Sequence, residues 1–150
     1  MAAINRDDFV NECLDQANIW GAWAHYMIAV AQLRSGLDDA KNGDLYGPFG
    51  LSQAQWDANR TDPQLTNFKA TDIAKWARQC AVFAHWMHEA QVDLVRANGQ
   101  DPNSEKIYAA QFPGAAVAGL NQALSDTAAW LPGAQAVASA ATKLPVQAGT

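Results

Sequence analysis

Basic residues are scarce in this chain of 150 residues: ten Lys and Arg stand against fifteen Asp and Glu, for a net charge of −5. The ten cations are scattered and form no stripe. Binding nucleic acid through its phosphates needs clustered cations that displace counterions, so nucleic acid is not an expected partner. Charged residues of either sign amount to 17% against 49% hydrophobic, a balance that excludes a disordered chain. Long apolar runs are missing as well. None approaches the roughly 20 residues that span a bilayer, so no membrane partner is expected. Cysteine occurs twice, at Cys13 and Cys80. Their spacing fits no metal motif, and both fall on apolar helical faces, which points to two buried thiols and not a bridge. The opening "MAAINRDDFVNE" has no apolar run behind a basic start, so no cleavable export signal is expected. Such a chain works in the cytoplasm, or leaves the cell by a route that reads no such signal, as in a phage or a secretion apparatus.

The length suits one domain with its own core. The expectation is a monomeric unit over residues 1–142 with a flexible tail at 143–150. Apolar residues recur at helical spacing. Phe9, Cys13, Ala17 and Trp20 line one face of a helix over 7–20, with Asn5 as cap and Asp7 and Asp8 suited to the positive end of its dipole. Trp23, Met27 and Val30 line a second over 22–35, which Gly36 stops. Residues 37–49, "LDDAKNGDLYGPF", read as an ordered loop, and a short helix follows near 51–59. The longest helix is expected over 71–98, with Ile73, Trp76, Ala77, Cys80, Phe83, Ala84, Met87 and Leu94 inward. Short helices are expected at 104–112 and 115–124. No segment alternates as a strand, so the class is all-α. Most of the six tryptophans belong to the core on this pattern.

Three stretches carry the functional signal: "IAVAQLRSGLD" (28–38), "YGPFGLSQAQWDA" (46–58) and "LVRANGQDPNSEKIYAAQFPGAA" (94–116). In order and spacing they resemble the lysozyme-like lytic transglycosylases, in the compact form found in bacterial and phage peptidoglycan-degrading proteins. There the first stretch reads A-x-V-E-S-x-L/F-D, the second A-x-G-L-x-Q-F/I-x-x-x-W, and the third L-G-R-x-P-T-x-x-E-L-Y-L-A-H-F-L-G-x-x-G. The likeness covers roughly residues 24 to 125. It implies a lysozyme-like helical domain around one long central helix, and a glycan groove with Ser35, Tyr46, Gly50, Gln53, Trp56, Tyr108 and Gln111 on its walls.

The resemblance also shows what is gone. The family's glutamate protonates the leaving oxygen of a glycosidic bond, after which the sugar's own 6-hydroxyl attacks to give an anhydro product. Such an acid needs a carboxyl with a raised pKa. Arg34 stands in its place, and a guanidinium does not give up its proton at physiological pH. Loss of a general acid costs about 10²–10⁴-fold in rate. Gln111 likewise replaces the His or Tyr expected beside the sugar.

The expectation is therefore a catalytically inactive domain that binds peptidoglycan glycan or a protein partner through the former groove, with no cofactor and no metal. An active enzyme with a displaced carboxylate, among Asp38, Asp39, Asp44 and Glu89, is the alternative; the loop aspartates, if solvated, stay ionised and make poor acids. A pure interaction module is a further one. Two roles stand open for Arg34: binding a ligand carboxylate, or an internal salt bridge to Asp38, Asp39 or Asp44. For Gly50 and Gln53 the alternatives are a groove wall, or a tight turn and a surface glutamine. For Tyr46 and Trp56 they are sugar stacking or core packing. His85, His88 and Glu89 match no zinc motif and are expected at the surface and the groove rim.

Overall fold

The computed structural model describes residues 3–131. The expected tail at 143–150 lies outside them. Among the described residues six α-helices appear in order: α1 (Arg6–Trp20), α2 (Ala24–Ser35), α3 (Gln53–Arg60), α4 (Trp76–Asn98), α5 (Ser104–Gln111) and α6 (Leu120–Thr127). Two 3-10 turns, Ala70–Ala74 and Ala128–Trp130, complete the elements. The only strand-like pairings among the described residues are isolated bridges, such as Tyr46 with Leu51. The domain is all-α.

Local chemistry explains the helix ends. The Asn5 side chain accepts the Asp8 amide at 3.0 Å and opens α1, and Gly21, at φ 76°, closes it. Gly36 closes α2 at φ 68°, a backbone state that a Cβ disfavours. Ser52 and Gln55 form a reciprocal capping box at the start of α3.

Two expected boundaries move. The long helix begins at Trp76, not Thr71. The carboxylate of Asp72 accepts the Lys69 amide at 3.0 Å, which stabilises a separate 3-10 turn, and Lys75 is extended at φ −100° and ψ 109°. A side chain that bonds its own backbone in this way competes with helix extension. The last helix begins at Leu120 and not Ala115, because Gly119 at φ 99° can only precede it.

The long helix α4 packs against α1, α2, α3 and α5. Along α2, eight consecutive residues from Ala24 to Ala31 are buried, so this helix is enclosed all round. It packs on α1 and α6, while α4 covers α1 on one side and carries α5 on the other. His25 is the polar exception in the run. Its Nε2 donates to the Leu124 carbonyl at 2.7 Å and lies 3.0 Å from Thr127 Oγ1, tying α6 to α2. Its Nδ1 is buried without a partner. Phe83 of α4 anchors the aromatic centre, stacked 4.1 Å from Phe49 and 6.2 Å from Phe112. Cys13 and Cys80 are both buried and free. Burial pushes the Cys80 thiol well up, and the neighbouring Cys13 adds to it.

Phe83→Ala is expected to cost about 3–5 kcal/mol, because the cavity falls among the rings of Tyr26, Phe49, Trp86 and Phe112; urea denaturation measures it. Burial also lowers the pKa of His25, partly offset by the Leu124 carbonyl. The folded state thus takes up the proton less readily than the unfolded chain. This stabilising contribution is fully present above the ordinary histidine value and is lost as pH falls through the lowered one. Melting temperatures are expected to drop below about pH 6, and His25→Gln is expected to flatten that slope.

Candidate functional site

Arg34 lies in the last turn of α2, and its side chain bonds the loop that follows. Nε donates to the Phe49 carbonyl at 2.6 Å and Nη2 to the Gly50 carbonyl at 2.8 Å. Nη1 makes a longer contact, 3.4 Å, with the Tyr108 hydroxyl. The guanidinium carbon stands 3.9 Å over the Phe112 ring, a stacking geometry open to arginine. No salt bridge to Asp38, Asp39 or Asp44 forms among the described residues. The internal partners are two backbone carbonyls and an aromatic face. A guanidinium has five N–H groups; three are engaged here, and two remain.

The loop is held to this geometry by two further side chains. Ser35 Oγ lies 2.7 Å from the Pro48 carbonyl and accepts the Asp38 amide at 3.2 Å. From α4, the fully buried Gln79 donates to the carbonyls of Ile73 and Tyr46 at 2.8 and 2.9 Å, and its Oε1 accepts the Phe49 amide at 3.4 Å. Gly47, at φ 68°, lies so close that a Cβ there would meet Gln79 Nε2 at 2.6 Å. At Gly50, φ is 60° and a Cβ would stand 3.2 Å from Arg34 Nε. Backbone and guanidinium approach this closely only without a side chain.

Between loop and helix end lies a cavity of about 360 Å³, lined by Arg34, Ser35, Asp38, Asn42, Gly47 and Gly50 among others. Of the residues expected on a groove wall, the fold brings Arg34, Ser35 and Gly50 to this cavity and places Tyr108 against Arg34. The rest go elsewhere. Tyr46 is half-buried, with the Lys41 ammonium 5.0 Å from its ring. Gln53 bonds Asp57 and the Ala70 carbonyl at 3.2 and 3.1 Å. Trp56 is fully buried, its indole N–H on the Lys69 carbonyl at 2.9 Å; it is core. Gln111 is buried and accepts the Tyr26 hydroxyl at 2.7 Å. Asp38 and Asn42 line the cavity although no pattern marked them as wall residues. Gln79 did leave a signal, a glutamine four residues before Phe83 on the apolar stripe of α4.

Asp38 and Asp39 are partly buried, while Asp44 is exposed as expected. Burial, and then the charge of Asp38, push the Asp39 carboxyl above its ordinary value, and its Oδ1 is shielded without a partner. Asp38 accepts the Ala40 amide at 2.7 Å.

His85 corrects another expectation. It is buried, 3% exposed, with its ring 4.9 Å from that of Trp20. Its Nε2 comes within 3.1 Å of Asp62 Oδ2, but off the line that a hydrogen bond requires. Among the described residues, no group of three or more His, Cys, Asp or Glu is placed to hold a metal.

No family model matches this chain. No curated protein matches it, and no solved structure does.

Arg34→Met is expected to cost about 2 kcal/mol in urea denaturation, since two partly buried carbonyls lose charged donors. Arg34→Glu is expected to cost more, because it sets a carboxylate against those same oxygens.

Proposed function

We propose that this chain is a non-catalytic binding module on a lysozyme-like helical scaffold. It takes a sugar of peptidoglycan into the cavity beside Arg34. One observation carries the reading: the side chain at the family's acid position is locked onto the Phe49 and Gly50 carbonyls. It bonds the very turn that resembles the family's groove wall. A permanent cation so held is no proton donor. Its two free N–H groups suit an anionic or carbonyl oxygen, such as the lactyl carboxylate or acetamido oxygen of a muramyl residue. A volume of about 360 Å³ suits a ligand of about one sugar ring, at the small end of ordinary ligand sites.

Asp39 favours a second reading, an active lytic transglycosylase or muramidase with a displaced acid. A carboxyl held above its ordinary value beside a second carboxylate is the arrangement that general acids use.

Purified sacculi separate the two. The wild type is expected to sediment with sacculi and to release no anhydro or reducing fragments resolvable by mass. Ala40→Trp, which fills the cavity from its rim, is expected to abolish sedimentation while circular dichroism stays unchanged. Fragment release by the wild type that disappears in Asp39→Asn would establish the displaced acid instead. Neither binding nor release would leave a module that engages only protein.

A further inference from the structure

A larger cavity, of about 630 Å³, lies along α4 where it meets α5 and the end of α3. It shares no lining residue with the Arg34 cavity. Its composition is two-sided. Ala90, Leu94 and Ala97 of α4 with Ala110 of α5 supply apolar surface, while Asp62, Glu89 and Asp93 supply carboxylates. Among the described residues no Lys or Arg lines it.

The carboxylates are not neutralised from within. Glu89 makes no ion pair among the described residues. Asp93 has Arg96 at 3.8 Å, but the two side chains are 72% and 76% exposed, and such a contact contributes little. Asp62 is held below the usual carboxylate range chiefly by the Gln64 amide, so it remains an anion.

His85 supplies an independent sign of a missing partner. It lines the cavity and is only 3% exposed, yet its Nε2 has no hydrogen bond. Nε2 and Asp62 Oδ2 face each other at 3.1 Å without the alignment to bond. A buried polar atom left in this state is costly. An incoming N–H donor reaching both atoms would satisfy them together. Trp86, half-buried and edge-on to Phe112 at 5.3 Å, adds an indole to the same wall. Indoles attract cations.

We infer that this groove captures a lysine or arginine side chain from a basic segment of a protein partner. The aliphatic stem lies on the Ala90, Leu94, Ala97 and Ala110 surface, as long cationic side chains do. The charged head is held by Asp62, Glu89 and Asp93, with His85 Nε2 as a further polar contact. The net charge of −5 steers such a partner in and repels acidic ones. The site is separate from the Arg34 cavity and does not depend on what that cavity binds.

The test titrates the full chain with acetylated, amidated tetralysine, followed by calorimetry and by amide and indole NMR shifts. Acetylated tetraglutamate serves as the control ligand. Binding is expected for tetralysine alone, with shifts centred on Trp86, Glu89 and Asp93. Glu89→Gln is expected to weaken it about five- to tenfold. Ala110→Trp, which changes no charge but fills the groove, is expected to abolish it. Asp7→Asn combined with Asp8→Asn removes more charge from a different face and is expected to leave the affinity within twofold. Absence of tetralysine binding overturns the proposal. So does equal binding in Glu89→Gln and Ala110→Trp, or an equal loss in the Asp7 and Asp8 variant, which would mean attraction to net charge alone.

Discussion

The guanidinium of Arg34 joins three parts of the chain that are otherwise distant in sequence. Its Nε and Nη2 hold the carbonyls of Phe49 and Gly50, Nη1 reaches Tyr108 of α5, and its plane covers Phe112. The end of α2, the loop and α5 meet at this one group. Its charge is compatible with its place: the last turn of a helix carries the negative end of the dipole, where a cation is favoured. A carboxylate there would face that dipole and two carbonyl oxygens together. The same group that keeps the loop in place is a permanent cation and no proton donor.

The arrangement rests on the core beneath it. Because α2 is buried on every side from Ala24 to Ala31, its last turn emerges at a fixed point. Phe112, on which Arg34 lies, is itself stacked on Phe83, and Phe83 on Phe49. The residue whose carbonyl Arg34 holds is therefore also part of the aromatic column under it. Gln79 finishes the job from α4 by bonding Tyr46, Phe49 and Ile73. A fully satisfied buried amide of this kind specifies one loop conformation, because any other would leave its polar atoms without partners.

The two cavities are chemically opposite. One presents a cation beside Asp38; the other presents carboxylates and an imidazole over alanines and a leucine. They share no lining residue. The acidic groove was invisible in the linear pattern because its carboxylates come from Asp62, after α3, and from Glu89 and Asp93, a turn apart on α4. Only the packing of α5 through Ala110 makes a cavity of them.

Much of the helical framework was legible from residue spacing and end signals. Asn5 and Gly36 mark ends where they were expected, because caps and left-handed stops depend on local backbone chemistry alone. Boundaries failed where a side chain bonded its own turn, at Asp72, or where a glycine intervened, at Gly119. The candidate site was only half legible. That residue 34 is a cation, and so no proton donor, follows from its identity alone. Which atoms it bonds, that Trp56 is core while Gly50 lines a cavity, and that His85 is buried beside Asp62 were decided by tertiary packing. Contacts across 15 to 74 positions of sequence leave no periodic trace, since periodicity records only which face of an element is turned inward and not what it meets there.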